Sequence, residues 1–267
     1  MPSHLSPTAR AAAGTLLASA ALLLSAGLAH PAPAAAAPVP APGAAHATAA
    51  VLDLDGGGRT PVIHGEDRTY DTASIVKVDI LAALLLRAQD AGRPLTAEER
   101  KRAEPMIRRS DNAAANALWR EIGRAPGLAK ANKRLGLTST TGGPGAKWGL
   151  TRTTAGDQIR LLRAVFDTRG TEPAALDAES RAYIRGLMSH VAPEQTWGVP
   201  AAGAKGSPRV LKNGWLQRNT TGLWDVNSIG EVTVKGHRCL VAVLSNGSAS
   251  MSDGVSLVER TARAAAE

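Results

Sequence analysis

Thr72-Ala73-Ser74-Ile75-Val76-Lys77 runs directly into Val78-Asp79-Ile80-Leu81-Ala82-Ala83-Leu84-Leu85-Leu86, and the rest of the chain is read outward from this stretch. Apolar positions recur through it at helical spacing, which predicts a largely buried helix. Ser74 then falls in the first turn, where free backbone N–H groups and the positive end of the helix dipole favour developing negative charge. Lys77 lies three residues on, on the same face and within reach of the Ser74 hydroxyl. A serine is a weak nucleophile until a base takes its proton, and a lysine in a dry site can have its pKa lowered enough to do so. An N-cap serine followed by a solvated lysine gives the same spacing, so the pair needs support from elsewhere in the chain.

The 267 residues suffice for one domain of roughly 220 after processing, or for two closely packed halves. Aromatic residues make up only 3%, so the core must be mainly aliphatic. The net charge of +8 comes from scattered basic residues rather than a basic arm. No helix-turn-helix, zinc-finger or RNA-binding signature accompanies it, so nucleic acid is not an expected partner. Cys239 is the sole cysteine, which excludes an intramolecular disulfide, and its apolar strand context reads as a small buried residue. His4, His30, His46, His64, His190 and His237 show no metal-ligand spacing, and neither metal nor cofactor is expected.

Taken in order, Met1–Arg10, the apolar segment Ala11–Ala29 and the small residues at its end read as a secretory signal peptide over 1–29. A membrane anchor is the competing reading, because the segment approaches spanning length. No cysteine stands here to carry a lipid. Residues 30–45 are an Ala/Pro-rich linker, and the folded domain is expected over 46–267. Ala47–Asp55 and Arg59–His64 read as a hairpin around Gly56-Gly57-Gly58. Gly92-Arg93-Pro94 ends the Ser74 helix, and Thr96-Ala97-Glu98-Glu99 opens the next. Short helices follow to about residue 170, interrupted by an irregular loop over Thr138–Gly149. Another helix is expected over Leu176–Ser189. Strands are expected at Val210–Lys212, Leu223–Ile229, Glu231–Val234 and Leu240–Leu244, and Ser252–Ala266 closes the chain as a helix. The fold class is therefore α+β: an antiparallel β-sheet assembled from both chain ends, flanked by helices, with an all-α lobe inserted between. A cleft between sheet and lobe follows.

Two further motifs fall in this frame. Ser110-Asp111-Asn112 precedes the alanine-rich run Ala113–Trp119, and a helix cap explains it as well as chemistry does. Lys212-Asn213-Gly214-Trp215 closes a strand. In order, Ser-x-x-Lys on a helix, Ser-Asp-Asn in a helical lobe and Lys-x-Gly on a strand form the signature of class A β-lactamases and penicillin-binding proteins. The chain resembles that superfamily, and class A β-lactamases most closely, from about Ala47 to the C-terminus. Asn116, Ile122-Gly123 and Thr153-Thr154 extend the resemblance.

The resemblance implies a β-lactamase/DD-peptidase fold and acyl transfer through a serine ester. Ser74 would be the acylated nucleophile and Lys77 its proton acceptor, with Ser110 relaying a proton to the leaving nitrogen. Asn112 would hold a substrate amide, Lys212 would supply positive charge for a substrate carboxylate, and Gly214 would let the strand approach the substrate. Backbone N–H groups of Ser74 and Trp215 would form the oxyanion hole. Two positions depart from the family. Asn213 stands where a threonine or serine is usual. No glutamate occurs from Ile122 to Thr171, so the usual deacylating base is missing, and Asp157 and Gln158 belong to the following helix. Among Trp148, Trp197, Trp215 and Trp224, at least two are expected in the core and Trp215 in the cleft.

These readings converge on a secreted, monomeric serine hydrolase that takes a small-molecule β-lactam or a peptidoglycan-type peptide and turns β-lactams over slowly. The alternatives are a D-alanyl-D-alanine carboxypeptidase or endopeptidase of the cell wall, and a penicillin-binding protein that binds without turnover.

Overall fold

The β7 strand (His237–Ser248) explains the architecture, because its run Leu240-Val241-Ala242-Val243-Leu244 is buried on both faces. Side chains alternate along a strand, so one run can serve two cores. Leu240, Ala242 and Leu244 pack into the larger core, and Val241 and Val243 into the smaller. The computed structural model describes residues 44–56, 60–169 and 174–267. The signal-peptide reading over 1–29, almost all of the 30–45 linker and residues 57–59 of the hairpin turn lie outside the described residues.

The N-terminal strand β1 (His46–Asp53) pairs antiparallel with β7 over its whole length, and β2 (Val62–His64) folds back on β1 as the expected hairpin. The main sheet is completed by β6 (Trp224–Val234) and β5 (Val210–Gln217), in the order β2-β1-β7-β6-β5, antiparallel throughout. Both chain ends thus build one sheet, as the sequence implied. The helix α7 (Met251–Ala265), capped by Ser250, packs on one face over Val226, Val241 and Val243.

The other face carries the helical lobe. Its centre is α1 (Val76–Asp90), buried without interruption from Val76 to Leu86. Around it stand α2 (Ala97–Arg108), α3 (Asn112–Glu121) and α4 (Arg124–Leu135). A short two-stranded sheet joins Tyr70–Asp71 (β3) to Arg152–Thr153 (β4), and α5 (Ala155–Phe166) and α6 (Ala178–Met188) follow. The start of α2 is a full capping box, Thr96 and Glu99 each accepting the other's backbone N–H. Among the described residues, no helix is long and apolar enough to cross a membrane.

Two strand expectations need correction. The two short strands expected over residues 223–234 are one strand, β6, and Gly230 does not break it. A Cβ at Gly230 would stand 2.2 Å from the Val210 carbonyl, so glycine serves there to let β5 and β6 close up. The β5 strand also continues past Trp215 to Gln217.

Candidate active site

Ser74 lies in a 3₁₀ turn, Ala73–Ile75, that leads directly into α1. Ala73 takes a left-handed φ of 47°, an unusual conformation for a residue with a Cβ. The turn is fixed by partners distant in sequence. Asn227 on β6, fully buried, donates to the Asp71 and Thr72 carbonyls at 2.9 and 3.0 Å. The Thr72 N–H reaches the Thr151 carbonyl at 2.8 Å. While its neighbours Ala73 and Ile75 are buried, Ser74 keeps part of its surface open.

Gly214 presses the β5 backbone against this turn. A Cβ there would lie 2.6 Å from the Ser74 nitrogen and 2.8 Å from the Thr72 carbonyl oxygen. The glycine therefore admits the nucleophile's own backbone, which refines the expectation that it makes room for substrate. The strand register adds a second feature. Arg218 donates to Leu223 at 2.8 Å in line with the β5–β6 pairing, so alternate residues 216, 214 and 212 bond β6. Residues 213, 215 and 217 turn their N–H and C=O groups to the free edge of the sheet. The Trp215 N–H thus points away from β6.

Lys77, one turn along α1, is fully buried. Its Nζ donates to the Ser110 carbonyl at 2.6 Å, to Asn112 Oδ1 at 2.8 Å and to Ser110 Oγ at 3.1 Å. The three donors of the ammonium go to the Ser-Asp-Asn segment, not to Ser74 as the spacing suggested. Burial pulls the Lys77 pKa down to about 7, opposed in part by the Asp111 carboxylate. Ser110 joins α2 to α3 with φ 56°, a second left-handed residue bearing a Cβ. Asp111 caps α3 by accepting the Ala114 N–H at 2.7 Å, so one short segment both starts a helix and holds Lys77.

Lys212 reaches the same hydroxyl from β5, with Nζ 3.0 Å from Ser110 Oγ and 2.8 Å from the Asn213 carbonyl. It too is fully buried, and burial followed by the neighbouring Lys77 charge holds its pKa well below the usual lysine value. Ser74, Lys77, Ser110, Asn112, Lys212 and Gly214 are thus brought together. Asn213 and the Trp215 ring face the other way. Asn213 Nδ2 donates to the Gln195 and Trp197 carbonyls at 3.0 and 2.9 Å, so its amide secures the 195–197 segment. The Trp215 ring packs on Trp197 at 5.9 Å and, with Trp224, lines the smaller core.

The cleft tryptophan is Trp148, whose ring lies 4.7 Å from Lys77 Nζ and whose Nε1 donates to Asn116 at 2.8 Å. Trp148 borders an open cavity of about 570 Å³ together with Asn112, Asn116, Leu150, Leu216 and Arg218. Arg218 pairs with Asp71, which also meets Arg152 at 3.4 Å, so one carboxylate ties β4 and the β5–β6 turn to the segment before Ser74. Asp157 plays no part here. It is fully buried and accepts from the Ser139 N–H at 2.8 Å, the Thr140 hydroxyl at 2.7 Å and Arg160 at 2.6 Å. Cys239 is buried in β7, with its thiol pushed up to about 11 by that burial.

Comparison with known proteins places this geometry in context. Residues 92–267 match the model described as the beta-lactamase enzyme family; that range begins after the Ser74–Lys77 segment. Proteins of Mycobacterium tuberculosis and Mycobacterium bovis named "Putative lipoprotein LppW" are 28% identical over 176 residues, or 64% of this chain and 54% of theirs. The chain therefore spans about half the length of the curated relatives it matches. Among solved structures, PBP-A superposes with a TM-score of 0.67 at 21% identity, covering 82% of this chain and 88% of that one. The TLA-1 extended-spectrum β-lactamase superposes with a TM-score of 0.68 at 16% identity, covering 83% and 92%. A class A β-lactamase from Mycobacterium abscessus gives 0.65 at 19% identity, covering 82% and 91%. At such identities the structural likeness speaks to the fold.

Proposed function

This chain belongs to the beta-lactamase enzyme family, and on that premise we propose that it is a serine hydrolase acting by acyl transfer to Ser74. The observation that carries the reading is the Ser110 hydroxyl, 3.1 Å from Lys77 Nζ and 3.0 Å from Lys212 Nζ. Neutral Lys77 takes the Ser74 proton as Oγ attacks the substrate's amide carbonyl carbon. The Ser74 and Trp215 N–H groups receive the oxyanion. Ser110 then passes a proton to the amide nitrogen, supplied along the Lys77 contact, and the C–N bond breaks to leave the Ser74 ester. Asn112, with Oδ1 held by Lys77, offers its N–H groups to a substrate carbonyl. Lys212 holds positive charge behind Ser110 toward a substrate carboxylate.

Hydrolysis of that ester needs an activated water. Between residues 122 and 171 the carboxylates are Asp157, tied up in the core, and Asp167 after α5, and the 138–151 loop carries none. This favours a long-lived acyl-enzyme, formed from a β-lactam or from a cell-wall D-alanyl-D-alanine peptide. Residues 1–29, read as a signal peptide, fit an enzyme that acts outside the cell. Mixing the protein with a chromogenic cephalosporin tests the reading. One equivalent of product released in a burst, followed by a slow steady state, is expected. Fast turnover would contradict the slow step, and absence of any burst or turnover would contradict β-lactam acylation.

A further inference from the structure

Three polar groups hold Lys77 Nζ on the protein side: the Ser110 carbonyl, the Ser110 hydroxyl and Asn112 Oδ1. The cleft side is covered by the Trp148 indole, 4.7 Å away. The ring is held in place by the same helix that holds the lysine. On α3, Asn112 binds Lys77 and Asn116, four residues on and on the same face, accepts the indole N–H at 2.8 Å. The loop bearing Trp148 is fastened as well. Trp119 Nε1 donates to the Gly145 carbonyl at 2.8 Å, Gly143 N–H to Thr151 Oγ1 at 3.0 Å, and Thr141 pairs with Arg152. A Cβ at Gly149 would stand 3.8 Å from Ala73 Cα, so this loop runs against the nucleophile's turn.

We propose that Trp148 is a positioning residue for Lys77, keeping water from Nζ on the cleft side and so maintaining the uncharged amine that accepts the Ser74 proton. The proposal rests on the acyl-transfer reading above. Two effects of the ring oppose each other. The negative face of an indole attracts an ammonium and favours the charged lysine. Exclusion of water disfavours the charge, and burial shifts a lysine by several pKa units where it dominates. Burial is the main cause of the low Lys77 pKa, opposed by the Asp111 carboxylate, with Lys212 facing it across Ser110; on this reading the indole adds to that burial.

The test is a titration of isotope-labelled lysine side chains by NMR, with the Lys77 resonance identified from Lys77→Met. In Trp148→Ala the Lys77 midpoint is expected to rise by about one pH unit. The rate of penicillin acylation at pH 7 should then fall about fivefold, as the uncharged fraction of the lysine drops, and recover at pH 9. Asn116→Ala, which frees the ring without removing it, should shift the midpoint less and in the same direction, and stands in should Trp148→Ala fail to fold. An unchanged or lowered midpoint in the folded variants overturns the proposal. If penicillin never acylates the unmodified protein, the acyl-transfer reading fails with that substrate, and the lysine titration still decides the role of Trp148.

Discussion

Lys77 and Lys212 converge on one hydroxyl, their nitrogens 3.1 and 3.0 Å from Ser110 Oγ, and both side chains are fully buried. Two ammonium groups so placed resist being charged together. With Lys77 neutral the hydrogen bonds resolve without conflict. Its two N–H groups serve the Ser110 carbonyl and Asn112 Oδ1, which can only accept, and at rest its lone pair meets the Ser110 hydroxyl. Ser110 then donates to Lys77 and accepts from Lys212. The lone pair turns to Ser74 by rotation about the Cε–Nζ bond when that proton is taken.

The pH dependence of acylation follows from this arrangement. The working base is uncharged Lys77, whose pKa is lowered to about 7. The acylation rate should rise about tenfold per pH unit below that value and level off above it. Stopped-flow acylation between pH 5 and 9 measures the profile. Lys77→Arg, which stays charged throughout, should be inactive at every pH; a bell centred well below pH 7 would point to a carboxylate base instead.

Gly214→Ala should separate the close approach of β5 from general packing. The new Cβ would meet the backbone nitrogens of Ser74 and Ile75 at 2.6 and 2.7 Å, and neither can swing aside as a flexible side chain would. A loss of about 1–3 kcal/mol in stability is expected. Acylation should fall at least a hundredfold because the strand must move from the nucleophile, as chemical denaturation and acylation kinetics on one sample would show.

Asp79 on α1 makes stability depend on pH in a defined direction. It is fully buried, its pKa is raised to about 7 chiefly by burial, and its main partner is Gln158 Nε2 at 3.4 Å. The folded state keeps the proton that the unfolded chain gives up near 3.8, so stability is fully present below about pH 4 and declines up to about pH 7. The span corresponds to at most about 4 kcal/mol. Asp79→Asn should remove this decline, measured as urea midpoints from pH 4 to 8; an unchanged slope would show that Asp79 is ionised when folded.

Asn213→Thr, which restores the residue type usual in the family, should destabilise the protein. A threonine cannot satisfy both the Gln195 and Trp197 carbonyls that the amide now holds. A cost of about 1–3 kcal/mol is expected from the stranded carbonyls, read as a shift in thermal midpoint. An unchanged midpoint would mean that the 195–197 segment needs no such tie.

The sequence made the order of elements legible because each carries its own period. The α1 run repeats at helical spacing, and β7 is an apolar run flanked by turn residues. Chain order alone then placed β1 and β7 in one sheet. The motif residues Ser74, Lys77, Ser110, Asn112 and Lys212 were legible by resemblance, and the folded chain brings them together. What local pattern could not show is pairing across the fold. The direction of the Asn213 amide depends on carbonyls 16 and 18 residues earlier, and Asp71 meets Arg218 from 147 residues away. Trp148 sits in a loop with no period, so nothing in its neighbours marks it as the ring over Lys77. Trp215 was expected in the cleft because it adjoins a motif, but strand alternation turns its ring to the opposite face.

The central claim is that Ser74 forms a covalent ester. Intact-protein mass spectrometry after incubation with penicillin, beside Ser74→Ala, tests it most directly. The account predicts a persistent adduct of one penicillin mass on the unmodified protein and none on the variant. An adduct on both, or no adduct and no consumption of penicillin by either, would contradict it.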